Sequence, residues 1–142
     1  MALKYQSNLE TRPDQPCPCR DSFAPREMVA FRFLKNNPAN ASDFVPPAAM
    51  NPSQRDTCGS YALSFFDTEE NAFKRFKKLN KKVDARAKYG EFVGKLKLSE
   101  SDGLLSAPSR DGHLDLHQHE NVDFASRVEN VKSIPRPSDE SA

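Results

Sequence analysis

The amino-acid sequence predicts an α+β fold in which a small, mostly antiparallel sheet carries one long amphipathic helix and both termini are disordered. Short segments rich in β-branched and aromatic residues recur along residues 28–119, and one segment near the middle repeats apolar residues every three or four positions. Apolar residues are concentrated between positions 28 and 98, while both ends are polar and marked by proline. We therefore divide the chain into a disordered N-terminal tail (1–26), one α+β domain (27–132) and a disordered C-terminal tail (133–142).

Three segments in the first two thirds of the chain alternate as β-strands do. The first is Met28–Leu34, in which Arg32 interrupts an apolar run and should be paired or point into a cleft. The second and third are Ser60–Phe66 and Phe92–Leu98. Residues 35–57 form a long loop, and loops of this length are usually functional or disordered.

The long helix is predicted over about residues 69–87. Asp67 and Thr68 can cap its first turn, and the acidic residues that follow suit the positive end of the helix dipole. Its apolar stripe should pack on the sheet, and Gly90 marks a break after its end. A second, short helix is predicted from Asn121 through Val131 by apolar residues at steps of four and three.

The other face of the long helix is basic. Such a ridge can meet an acidic protein partner, a nucleic acid or another anionic ligand, and it is also what many surface helices show. No exposed aromatic cluster for base stacking and no nucleic-acid motif accompany it, which favours a protein partner. The cations of this face are Lys74, Arg75, Lys77, Lys78, Lys81 and Lys82.

All three histidines lie within one predicted strand, His113–His119. Alternation places Leu114 and Leu116 in the core and four polar side chains on the opposite face. These four side chains are candidate ligands of zinc or another transition metal, or a source of a general acid or base. They are equally compatible with a solvated strand face. The four are His113, Asp115, His117 and His119.

The cysteines form a second candidate set. Cys17, Cys19 and Cys58 with one histidine have the right chemistry for zinc, but the gap of one residue is shorter than in zinc ribbons and fingers. Cys58 by itself reads as a small buried residue before a strand, or as a nucleophile with a histidine base. The odd number of cysteines argues against a secreted disulfide framework.

Composition excludes several classes of protein. With 21 basic and 20 acidic residues the formal charge is +1, so the whole chain exerts no general attraction on nucleic acid or membrane. It has no apolar run of the roughly 18–20 residues that a membrane span needs and no signal-peptide core at the N-terminus, so we expect a cytoplasmic protein. Neither GxGxxG nor a Walker-type loop occurs, which argues against the commonest nucleotide-binding enzymes.

The order of elements resembles that of ADP-ribosyltransferase-like domains. An early strand carries Arg32, a second strand ends in the run Ser64–Thr68, and an amphipathic helix follows. In that family an Arg or His anchors the dinucleotide, a Ser or Thr follows, and a late Glu acts on the ribose. Over residues 31–120 the resemblance implies these roles for Arg32, Ser64 and Glu120. The second serine of the family's Ser-Thr-Ser motif is missing, and Glu120 matches by position alone.

Two functional hypotheses follow. A modest core, polar ends and the absence of a complete catalytic constellation predict a small cytosolic binding or regulatory module that acts through protein partners. The alternative is a small enzyme with a cleft lined by Arg32 and the His113–His119 strand, in which Arg32, Ser64, His117 and Glu120 are the catalytic candidates. Such an enzyme requires Arg32, Ser64 and at least one histidine around one pocket.

Overall fold

In the computed structural model, which describes residues 2–51 and 57–136, six strands form one antiparallel sheet. The strands lie across the sheet in the order β4-β5-β2-β1-β3-β6. The predicted α+β class with an antiparallel sheet is confirmed, but the sheet is larger than predicted. The strands are β1 (Met28–Leu34), β2 (Leu63–Phe66), β3 (Phe92–Leu98), β4 (Gly103–Leu105), β5 (His113–Gln118) and β6 (Asn130–Ser133).

Strands β1 and β3 have the predicted bounds and pair along their whole length, from Met28 opposite Leu98 to Leu34 opposite Phe92. The predicted strand over residues 60–66 is wrong at its start, because a 3-10 turn at Cys58–Tyr61 precedes β2. The hydrogen bonds of this turn, such as the one that the Ala62 N–H donates to the Gly59 carbonyl oxygen, keep the chain from extending before Leu63.

Two strands were not predicted. Strand β4 has only three residues and pairs with β5. Strand β6 lies where the sequence predicts the end of a helix running from Asn121 through Val131. A 3-10 turn at Ala125–Arg127 buries Phe124, after which the chain extends and pairs with β3. The predicted C-terminal tail (133–142) begins inside β6, and residues 137–142 lie outside the described residues.

Four α-helices occur in the described part of the chain: α1 (Gln6–Glu10), α2 (Pro47–Met50), α3 (Glu69–Asn80) and α4 (Ala85–Tyr89). The predicted helix over residues 69–87 is therefore two helices. Helix α3 begins as predicted, with the Thr68 side chain accepting the N–H of Asn71. It ends because the Asn80 side chain accepts the N–H of Ala85, and Asp84 then caps α4. Each of these helices is too short or too polar to cross a lipid bilayer.

One face of the sheet, here called the core face, carries the main hydrophobic core. Its strand residues alternate with those of the opposite face, as the pleat requires. Phe44 and Phe124 stack at 5.6 Å between centroids and close this core from outside the sheet. Its strand residues are Ala30, Leu34, Leu63, Phe65, Leu96, Leu98, Leu105, Leu114 and Leu116.

The opposite face, here called the helix face, is covered in two parts. Over the central strands, Ala72 and Phe76 of α3 pack with Phe66 of β2. Over the β4–β5 side, the N-terminal segment packs Leu9 with Tyr61 in a third cluster. The side chains of Ser64 and His113 lie between the two covers, so the candidate chemistry occurs in the gap between them.

The N-terminal segment differs from the disordered tail predicted for residues 1–26. Leu3 forms a β-bridge with His119, Phe23 forms one with Leu105, and Leu9 is fully buried. A disulfide between Cys17 and Cys58 joins the segment to the turn before β2. Apolar burial and a covalent link, neither of which hydropathy alone reveals, tie this polar segment to the sheet.

Candidate functional site

The side chains of the histidine strand, β5, point to the two faces of the sheet as the sequence predicts. Leu114 and Leu116 are fully buried on the core face, while His113, Asp115 and His117 lie on the helix face. His119 follows the end of β5, and its Nδ1 lies 2.8 Å from the Ser101 carbonyl oxygen. Three of the four predicted residues therefore share a face within the strand, and the fourth makes a separate contact.

Ser64 joins the histidine strand at its first residue. The Ser64 hydroxyl lies 3.1 Å from His113 Nε2, and an Asp115 carboxylate oxygen lies 3.5 Å from the same nitrogen. In a Ser-His-Asp triad, serine and aspartate contact opposite nitrogens of the imidazole. Because both contact one nitrogen here, Asp115 does not hold the His113 ring from the side opposite Ser64 as the aspartate of a triad does.

Asp115 is the acidic member of this group. Burial raises its pKa, and the neighbouring His113 opposes that shift. Its backbone N–H donates to the Ser106 hydroxyl, so the strand itself is held in place on that side. The Ser64, His113 and Asp115 cluster is thus a half-buried polar patch between two apolar covers.

His117 lies against the disulfide. Its Nε2 is 3.4 Å from Cys58 Sγ, and the residue is only 6% exposed. Burial lowers the pKa of His117 from 6.5 to about 4, so the ring is neutral near pH 7. Its other ring nitrogen, Nδ1, is buried and has no hydrogen-bond partner among the described residues.

The ligand atoms of Cys17, Cys58 and His117 all lie within 4.8 Å of one another. Within residues 2–51 and 57–136, this is the metal-ligating group whose atoms converge, rather than the predicted set of His113, Asp115, His117 and His119. Of the predicted cysteine set, Cys19 is exposed and its sulfur contacts Ser22. The sequence contains the right residue types, but no local pattern shows that Cys17 contacts β5, which lies about one hundred residues further along the chain.

Arg32 lies on the other side of the sheet from the histidines. Its Nε donates to the Asp43 carbonyl oxygen and its Nη1 to the Ser64 carbonyl oxygen, both at 2.9 Å. The guanidinium also lies 5.8 Å from the centre of the Phe65 ring, a core-face residue. Burial lowers the pKa of Arg32 to about 10, while the Asp43 carboxylate acts in the opposite direction. The buried guanidinium of Arg32 is thus held by backbone carbonyl oxygens on the core side of the sheet.

The catalytic candidates are not brought together. Arg32 meets only the backbone of Ser64, whose hydroxyl points to the helix face because its neighbours in the strand face the core. Glu120 is exposed beyond the far end of β5, where its N–H donates to the Ala2 carbonyl oxygen. At about 3.4 Å per residue, it lies roughly 17 Å along the chain from Asp115, the residue that pairs with Ser64. A cleft lined by both Arg32 and the histidine strand does not occur in the described residues.

The basic face of α3 meets the turn before β5. Between them is a cavity of about 300 Å³, here called the basic cleft. Five of its lining side chains are cationic and one, Asp111, is acidic. Sequence reasoning missed Arg110, because only the fold brings that turn beside α3. The lining residues are Asn71, Lys74, Arg75, Lys77, Lys78, Arg110 and Asp111.

A larger cavity of about 480 Å³ lies beside α4. Its lining carries three basic and two acidic side chains, so its charge is nearly balanced and gives no clear preference for a ligand. These residues are Lys35, Asp84, Arg86, Ala87, Gly90, Glu91 and Arg136.

The chain matches no known protein family, and neither a curated protein nor a solved structure is significantly similar to it. The comparisons therefore lend no support to the resemblance to ADP-ribosyltransferase-like domains.

Proposed function

We propose that this protein is a small binding module that recognises an acidic segment of a protein partner through the basic cleft. The observation that carries the proposal is the convergence of five cations around one cavity with a single carboxylate among them. The chain as a whole has a formal charge of +1, whereas the lining of the cleft carries +4, so the positive charge is a local feature of this cleft. Local charge of one sign attracts a complementary segment and increases its rate of association.

The ion pairs of the cleft are weak enough to be exchanged. Lys74 contacts Glu70 at 3.1 Å and Lys78 contacts Asp111 at 3.8 Å, and all four side chains are more than half exposed. Pairs of this kind contribute about 0–1 kcal/mol each. Carboxylates of a partner can therefore replace them at little cost.

The lining of the cleft favours a peptide over a nucleic acid. Single-stranded nucleic acids bind by stacking bases on aromatic side chains beside a cationic groove. Among the described residues, no aromatic side chain lines the basic cleft. Carboxylates need only the lysine and arginine heads, which form charge-assisted hydrogen bonds with them.

The proposal is tested by fluorescence anisotropy with a labelled peptide of alternating glutamate and alanine. A variant with Lys74→Glu and Arg110→Glu reverses one charge on each side of the cleft. The control carries Lys81→Glu and Lys82→Glu, which change the net charge equally but lie outside the lining. We expect the first variant to weaken binding about tenfold or more and the control to change it less than about twofold at physiological salt.

Three results would contradict the proposal. The wild-type protein fails to bind the peptide, both variants lose affinity equally, or a single-stranded oligonucleotide of equal charge binds more tightly than the peptide. The two variants then serve as baits in parallel pull-downs, where the physiological partner is retained by the control and lost by the cleft variant.

A further inference from the structure

The disulfide between Cys17 and Cys58 ends directly on the ring of His117, at the junction of the N-terminal segment, the turn before β2 and strand β5. These three parts of the chain are distant in sequence. Cys17 and Cys58 have Cα atoms 5.6 Å apart, and both sulfurs and a ring nitrogen of His117 lie within 4.8 Å of one another. The basic cleft shares none of these residues.

We propose that reduction of this disulfide converts the cluster into a zinc site in which Cys17, Cys58 and His117 are the protein ligands. Two thiolates and one imidazole form a ligand set that zinc accepts, with a fourth position left for solvent. The inference concerns a different part of the molecule from the proposed function and does not rest on it.

The observed geometry is close to what zinc requires. With Zn–S near 2.3 Å and Zn–N near 2.0–2.1 Å, the nitrogen and sulfur ligands of a tetrahedral site lie about 3.5 Å apart. His117 Nε2 is 3.4 Å from Cys58 Sγ. The histidine is already in place relative to the Cys58 sulfur, and the Cys17 sulfur, which lies within 4.8 Å of the ring nitrogen, must move away from Cys58 when the disulfide is reduced.

The ring of His117 contacts the disulfide through one nitrogen. The residue is 6% exposed, and its buried Nδ1 has no partner among the described residues. A neutral histidine that binds zinc through Nε2 carries its proton on Nδ1, so Nδ1 itself is not a ligand. The nitrogen that does have a neighbour, Nε2, faces the cysteine sulfur. The ring is therefore oriented toward the two potential thiolates.

The conversion of the disulfide into a zinc site takes two steps, in each of which electrons and protons balance. A dithiol reductant gives two electrons and two protons to the Cys17–Cys58 bond, which yields two cysteine thiols and the oxidised, disulfide form of the reductant. Zn²⁺ then binds both sulfurs as thiolates and His117 Nε2, and the two thiol protons are released to solvent. In the reverse direction the disulfide form of the reductant accepts two electrons from the two thiolates and two protons from solvent, which restores the Cys17–Cys58 bond, regenerates the dithiol and releases Zn²⁺.

The test uses the full chain and zinc alone. Reduced, metal-free protein is titrated with Zn²⁺ against a chromogenic chelator, and the oxidised protein is titrated in parallel. We expect one zinc per chain in the reduced protein and none in the oxidised protein. In His117→Gln the affinity should fall by more than the roughly 10–100-fold that loss of an outer-shell partner causes.

Two matched controls lie beside the ligands. Cys19→Ser removes the thiol two residues from Cys17, and His119→Gln removes the imidazole two residues from His117. Both side chains make contacts outside the cluster, so each control should bind zinc within about threefold of the wild type. Loss of binding in either control would overturn the assigned ligand set.

Protection from alkylation gives a second measurement that needs no variant. Zinc should shield Cys17 and Cys58 of the reduced wild-type protein from N-ethylmaleimide and leave Cys19 reactive, as read by peptide mass spectrometry. The proposal is overturned if zinc fails to bind the reduced protein, if it binds the oxidised form equally well, or if it protects no cysteine or protects Cys19 alone.

Discussion

At the scale of the residue, burial decides the chemistry of His117 more than its neighbours in sequence do. His113 and His119 lie on the same strand or at its end, yet only His117 is buried with a ring nitrogen unpaired among the described residues. Burial disfavours the charged imidazolium, and the pKa of His117 is lowered from 6.5 to about 4. The three histidines therefore have different roles although they lie within seven positions.

The shift of His117 predicts a pH dependence of stability. Between pH 6.5 and about 4 the unfolded chain binds a proton that the folded chain excludes, so the free energy of unfolding falls as pH falls through this window. Allowing for partial solvent screening, we expect the contribution of His117 to be about 2 kcal/mol. It is fully present above pH 6.5 and lost near pH 4.

Urea unfolding of the oxidised protein at several pH values measures this effect. His117→Gln should flatten the loss of stability over the window, whereas His119→Gln, which changes a histidine outside the cluster, should not. A pH profile that is the same in wild type and His117→Gln would contradict the assignment.

At the scale of the element, single residues end helices that apolar spacing alone would continue. The stripe of the predicted helix over 69–87 extends past Asn80, but Asn80 and Asp84 accept backbone N–H groups and start a new helix. The same limit applies to residues 121–131, whose helical spacing did not prevent β6 from pairing with β3. Pairing in a sheet depends on a distant partner, which local spacing does not contain.

Substitution of Gly90, which ends α4, tests one such helix boundary. The glycine has a φ of +110°, and a Cβ there would lie 2.1 Å from the Leu34 carbonyl oxygen of β1. We expect Gly90→Ala to lower the free energy of unfolding by about 2–4 kcal/mol, because both the backbone angle and the space exclude a side chain.

Gly59→Ala is the matched control for this substitution. A Cβ at Gly59 would meet Asp115 at 3.5 Å, an ordinary contact, so the free energy of unfolding measured in urea should change by no more than about 1 kcal/mol. Equal destabilisation by the two substitutions would show that the close approach of α4 to β1 is not the cause.

At the scale of the whole molecule, the N-terminal segment completes the cover of the sheet. Its disulfide joins positions separated by 41 residues and places the segment over the β4–β5 side. A cross-link of this span constrains the unfolded chain, and removal of such bonds typically lowers stability by about 2–5 kcal/mol. We expect reduction in metal-free buffer to lower the unfolding free energy by about 2–4 kcal/mol.

Thermal or urea unfolding with and without reductant, in the presence of a chelator, checks this prediction. Cys19→Ser should respond to the reductant as the wild type does, while a double variant with Cys17→Ser and Cys58→Ser should not respond. An unchanged melting temperature of the wild type on reduction would contradict the expected stabilisation by the disulfide.

By itself, the sequence determined the α+β class, the bounds of β1 and β3, the start of α3 and the facing of the histidine strand. Each of these depends on local information: the alternation of a strand, the cap of a helix, the period of a stripe. Only the tertiary structure decided that Arg32 and the Ser64 hydroxyl lie on opposite faces, that Arg110 joins the basic cleft, and that Cys17 meets His117. These are contacts across long separations, fixed by sheet order and by burial summed over many residues, and no short pattern encodes them.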